Sequence, residues 1–111
     1  ILVVEDSRFA CDAMRLLCLR SGARIRRADC LKSARRHLQV YRPTVVIVDL
    51  GLPDGSGADL IHELSRVEPR ISAILAISGD DMNEAIAIAA GADGFMAKPL
   101  AGLSEFQLLK C

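Results

Sequence analysis

The chain predicts a doubly wound α/β fold, five parallel strands with helices on both faces, and three observations point there. Short apolar runs rich in β-branched residues, clearest at Val45-Val46-Ile47-Val48, read as strands buried on both faces, the kind found inside a parallel sheet. Helical patterns separate these runs, strand and helix alternating five times across connections of a few residues, which favours right-handed crossovers within one sheet. Four of the five strands end in a hydrophilic functional group, at the edge where open α/β sheets place their ligands.

Taken in order, the first strand, residues 1–4, gives way at one step to Glu5, Asp6 and Ser7. Ser7 suits the N-cap of a helix whose apolar stripe is Phe9, Ala13, Met14, Leu16 and Leu17, stopping at Ser21-Gly22. Residues 23–28 alternate weakly, as an edge strand does. Asp29 is the expected cap of a second helix through about Val40, with Leu31, Ala34, Leu38 and Tyr41 inward and Pro43 closing it. The central strand, residues 44–48, delivers Asp49, and residues 51–57 read as loop. A third helix covers about 58–67 on Leu60, Ile61 and Leu64. Residues 72–77 form the fourth strand, followed by Ser78-Gly79-Asp80-Asp81, where Asp80 or Asp81 caps a helix over 82–90 that Gly91 closes. The last strand, residues 94–97, runs into Lys98-Pro99, and a final helix over 103–109 is cut short.

Composition narrows the class. With 111 residues, 51% of them hydrophobic and 25% charged, the chain suits one globular domain with one core rather than a disordered segment. No apolar run approaches the roughly 20 residues that span a bilayer and no signal peptide is visible, so a cytoplasmic protein is expected. The chain opens inside a strand without an initiator Met, which reads as a piece of something longer. Cys11, Cys18, Cys30 and Cys111 lack Cys-x-x-Cys spacing and a paired His, which argues against a zinc site or redox motif and for buried free thiols. His37 and His62 fall in helical patterns and read as surface or boundary residues. Net charge is zero, yet Lys and Arg outnumber Asp and Glu by ten to four through Arg42, and the ratio reverses beyond it. Solvated, Arg-rich helices are the plainer explanation. A basic face for an acidic partner domain is the functional one; with one Tyr and no Trp, nucleic acid is the weaker version of it.

In a parallel sheet all carboxyl ends share one edge, so Glu5, Asp6, Asp49, Ser78 and Lys98 converge on one crevice. Singly, each has a plainer explanation: Asp49 as a loop cap, Glu5 and Asp6 as helix-start acids, Ser78 as a turn residue, Lys98 as a solvated cation. Jointly they do not, because three carboxylates in one pocket repel and that cost needs a cation. Hard oxygen ligands suit Mg²⁺, which binds through one or two carboxylates and keeps several waters. A metal, a nucleophilic carboxylate, a hydroxyl and an ammonium around one space describe phosphoryl transfer.

Ile-Leu-Val-Val-Glu-Asp-Ser at the start, Val-Asp-Leu-Gly-Leu-Pro-Asp-Gly-Ser-Gly in the middle, then Ala-Ile-Ser-Gly, Gly-Ala-Asp-Gly-Phe and Ala-Lys-Pro-Leu stand in an order and spacing that together are highly specific. The chain resembles, from Ile1 to about Leu109, the receiver domain of bacterial two-component response regulators. The resemblance implies a flavodoxin-like strand order of 2-1-3-4-5 and Asp49 as phosphoacceptor, taking a phosphoryl group from a sensor histidine kinase or histidine phosphotransfer protein. It implies that Asp6 and Asp49 bind Mg²⁺ directly, with the Gly51 carbonyl as a third ligand and Glu5 acting through water. Lys98 would hold one phosphoryl oxygen and Ser78 would move to bond another. Lys98-Pro99 would be a cis peptide, and Phe95 a switch aromatic that turns inward. Catalysis would extend only to the protein's own phosphorylation and dephosphorylation. The response would be a shift of the face made by the fourth helix, fifth strand and fifth helix toward an effector domain or a second copy. Nucleic acid would be met only through an output domain beyond this sequence.

Gly51 stands where relatives often carry a side chain, and Phe95 replaces the commoner Tyr. Two rivals are weighed against this. One is an interaction module of the same fold that takes no phosphate, against which all five site residues stand intact. The other is a haloacid dehalogenase-type phosphatase, which would need a general acid two residues after Asp49, where Gly51 cannot serve.

Overall fold

The structure is a computed structural model that describes residues 1–7, 12, 15–16, 19–20, 22, 24–67 and 71–97. Strands β1 (Leu2–Val4), β2 (Arg26–Ala28), β3 (Val45–Asp49), β6 (Ala73–Ser78) and β7 (Gly94–Ala97) form one parallel sheet in the order β2-β1-β3-β6-β7. In chain order of the five sheet strands this is the expected 2-1-3-4-5. The strand running 26–28 lies at the edge, as its weak alternation and its two exposed arginines require.

Alternate strand residues feed two faces. Leu2, Val4, Val46, Val48, Ile74 and Ala76 join one core with the inward residues of helices α1 (Leu31–Val40), α2 (Gly57–Ser65) and α3 (Glu84–Ala90). Val3, Ile47 and Ile77 form a second buried cluster on the opposite face. A strand buried on both sides has no polar alternation, which is why β3 reads as a continuous β-branched run.

Helix α1 places Leu31 and Ala34 in the core, with Leu38 and Tyr41 half-buried against it. Its start differs from expectation. The N-cap is Cys30, not Asp29, with Cys30 Sγ accepting from the Ser33 amide at 3.4 Å. The first two amides of the helix donate instead to Asp54, 2.8 Å from Leu31 N and 3.1 Å from Lys32 N.

Residues 51–57 are not plain loop. Gly51–Leu52 (β4) pairs antiparallel with Gly55–Ser56 (β5), a two-rung hairpin that turns at Pro53-Asp54 and lifts Asp54 toward α1. Ser56 then caps α2 through its hydroxyl, which accepts from Ala58 N at 3.1 Å.

Residues 12, 15, 16, 19 and 20 are helical, but Leu16, expected inward, is 53% exposed, and Leu19 is exposed with it. At 100° per residue these five positions share one side of the helix, and that side faces out. Phe9, Ala13, Met14 and Leu17 lie outside the described residues, as do Cys11, Cys18, Cys111 and the final helix over 103–109. Cys30 is a free, half-buried thiol. His37 is half-buried and His62 exposed, both at the boundary expected for them. No helix among the described residues is long and apolar enough to cross a membrane.

Candidate functional site

Three strand ends build the site. One residue past β1, Glu5 still donates its amide to Ala28 O at 2.9 Å, so the ladder carries it to full burial before the chain turns away. Asp49 is the last residue of β3 and only 3% exposed. Asp6 is exposed at the mouth. Parallel register sets Val4 opposite Val48, so the residues that follow, Glu5 and Asp49, come side by side. Carboxylate oxygens of Glu5, Asp6 and Asp49 lie within 4.8 Å of one another.

The local geometry holds these groups in place. Glu5 Oε1 accepts from the Ser7 amide at 2.8 Å, so Ser7 serves as a donor to Glu5 there. Asp49 Oδ1 accepts from the Gly51 amide at 3.0 Å, which closes a turn at the strand end. The loop-capping explanation of Asp49 is therefore true of one oxygen. Two buried carboxylates beside a third, all offering hard oxygen, fit a divalent cation.

Gly57 is a requirement the sequence alone hides. A Cβ there would collide with the backbone carbonyl oxygen of Asp49 and stand 2.9 Å from Val48 Cγ1, so only glycine lets α2 start this close to the end of β3. Its amide donates to Leu50 O at 3.0 Å, and Leu50 N donates to Ile77 O at 2.9 Å, tying the segment after Asp49 to both neighbours.

On the other side of Asp49, Ser78 ends β6, 4% exposed, with Asp49 paired to Ile77 in register. Its hydroxyl oxygen accepts from Asp80 N at 3.1 Å and from Asn83 Nδ2 at 2.8 Å. Asp80, expected to cap the helix over 82–90, caps a 3₁₀ turn over Asp81–Asn83 instead, its Oδ1 accepting from Met82 N at 2.9 Å, and α3 begins at Glu84. Phe95, opposite Ala76 in β7, is half-buried and packed against the helix-side core. Lys98 and Pro99, expected at the end of β7, lie outside the described residues. Beside Asp49, Gly51 faces open space.

The model of the response regulator receiver domain family matches residues 1–107. Among curated proteins, the KDP operon transcriptional regulatory protein KdpE of Escherichia coli is 30% identical over 96% of this chain. TcrX of Mycobacterium tuberculosis, a probable transcriptional regulatory protein, is 32% identical over 89% of it. The chain spans about half the length of these relatives, 47% and 43%. Among solved structures, the receiver domain of NtrX from Brucella abortus is 25% identical, covers 98% of this chain and 93% of its own, and superposes with a TM-score of 0.80. A response regulator from Burkholderia pseudomallei is 31% identical over 97% of this chain and 64% of its own, with a TM-score of 0.77. Sheet order, acidic edge and sequence similarity over nearly the whole length agree, and the chain belongs to the response regulator receiver domain family.

Proposed function

We propose that Asp49 accepts a phosphoryl group from the phosphohistidine of a sensor histidine kinase or histidine phosphotransfer protein. The observation that carries this is the clustering of Glu5, Asp6 and Asp49 at the carboxyl edge of the sheet, with Asp49 nearly buried between its neighbours. An Asp49 carboxylate oxygen attacks phosphorus in line, the bond from phosphorus to the imidazole nitrogen breaks, and its electron pair stays on the ring. Asp6 and Asp49, with the Gly51 carbonyl, would hold Mg²⁺, and Glu5 would act on it through water. When bound, the metal offsets charge on the phosphoryl oxygens. Lys98 would take one of those oxygens and Ser78 another, and Phe95 would turn as Ser78 engages. The Burkholderia pseudomallei structure contains a phosphorylated aspartic acid and a calcium ion, which supports both parts of this reading.

No separate substrate is turned over; the chemistry is confined to Asp49. The consequence is a shifted equilibrium of the face that includes α3 and β7, read by an effector domain or a second copy. KdpE is by name a transcriptional regulator, so an output domain that binds DNA, in a cytoplasmic protein, is the proposed context.

Intact mass after incubation with phosphoramidate and Mg²⁺ tests the reading. One phosphate adduct is expected on the wild type, absent from Asp49→Ala and absent with chelator. A folded wild type that takes no phosphate would make the chain a phosphate-independent interaction module instead.

A further inference from the structure

Asn83 occupies the N-cap of α3, where an Asn side chain ordinarily accepts from a helix amide. It makes no such bond. Its amide nitrogen instead reaches back five residues to Ser78 Oγ at 2.8 Å. Its backbone is helical and continues the 3₁₀ turn that Asp80 caps, so the side chain is spared capping and engages Ser78 instead.

The hydroxyl inventory shows how. A serine oxygen has two acceptor positions and one proton. Asp80 N and Asn83 Nδ2 fill both acceptor positions of Ser78, which is 96% removed from solvent by its 4% exposure. Among the described residues the proton has no acceptor. Ser78 is thus held as a donor only, with its lone pairs spent, at the strand end beside Asp49. N–H groups that donate into a hydroxyl also strengthen its own donation. Such a group needs an acceptor, and an anionic oxygen is the strongest one.

We propose that Asn83 is a positioning residue for the phosphoryl group on Asp49, acting through the Ser78 hydroxyl. This rests on the reading of Asp49 as phosphoacceptor and deepens it. Because the residue that orients Ser78 is also the N-cap of α3, any displacement of the hydroxyl is passed directly to the first turn of that helix. Asn83 receives no phosphoryl group and touches no metal; its effect is routed wholly through Ser78.

The test is the initial rate of the Asp49 adduct, read by intact mass with phosphoramidate and Mg²⁺, for the wild type, Asn83→Ser, Ser78→Ala and the double variant. Serine is too short to reach Ser78 and there is no capping bond to lose, so Asn83→Ser should lower the melting temperature only slightly, and rates are compared where thermal denaturation shows every variant fully folded. The Asn83→Ser rate should fall roughly three- to tenfold, the worth of one hydrogen bond. In the Ser78→Ala background the same substitution should change nothing. A rate for Asn83→Ser equal to or above the wild type would overturn the assignment, as would an equal fall in both backgrounds. A wild type that forms no adduct would remove the receiver reading itself, an outcome visible in the control before any variant is compared.

Discussion

Gly57 has no side chain because the Asp49 carbonyl occupies the space one would need. Adding a methyl group forces either α2 or the end of β3 to move, and overpacking of this kind costs about 1–3 kcal/mol. Gly57→Ala is therefore expected to lose stability of that order by chemical denaturation. The strain falls on the backbone of Asp49, the proposed phosphoacceptor, so adduct formation should slow by more than the lost stability accounts for. Assaying under conditions where the variant is fully folded separates the two. At this scale the sequence is informative where residue type contradicts context. Asp49 after four β-branched residues, and Glu5 after a buried strand, are conspicuous because charge is out of place there. Gly57 and Asn83 are not, since a glycine before a helix and an asparagine at its start are ordinary. Their roles depend on atoms brought close only by folding.

At the scale of elements, α1 is capped from elsewhere in the chain. The Asp54 carboxylate, carried on the hairpin that follows Asp49, accepts from the Leu31 and Lys32 amides. Those bonds hold its pKa below the ordinary aspartate value of 3.8, because they favour the ionised form. A carboxyl whose folded pKa is depressed contributes fully above its unfolded value and loses that contribution as pH falls through the folded one. Asp54→Ala should therefore be less stable than the wild type at neutral pH. The gap should begin to close as pH drops below about 3.8 and vanish once Asp54 is protonated in the fold, measured by denaturation across that range. A gap independent of pH would assign the effect to packing. Arg35 of α1 meets Glu63 of α2 at 2.8 Å, which raises the Arg35 pKa, but both side chains are about half exposed and the pair contributes little. Hairpin and cap were illegible in the sequence because residues 51–57 carry turn residues around the single apolar Leu52, and Asp29 looks as good a cap as any until Asp54 arrives from 23 residues beyond Leu31.

For the whole molecule, a metal held by the carboxylates clustered at the sheet edge would couple its binding to folding. A ligand that binds only the folded state stabilises it by mass action, about 2.7 kcal/mol at a hundredfold excess over Kd. Mg²⁺ titration should raise the melting temperature of the wild type, and Asp6→Asn, which keeps shape and removes one charge, should blunt the shift. A rise of equal size in both proteins would place the metal elsewhere.

Architecture and the placement of the polar edge were legible from residue order: five buried runs in alternation with helical patterns, acids and a serine at strand ends, and a parallel sheet that must align those ends. Periodicity and burial are properties of neighbours along the chain, so the chain displays them. Leu16 shows the limit, since a leucine among leucines does not reveal which side of a helix faces out. Tertiary structure alone decided which backbone tolerates no Cβ, which distant carboxylate caps α1, and which side chain engages the Ser78 hydroxyl. Each of these depends on a distance between segments, and such a distance exists only once the sheet has assembled.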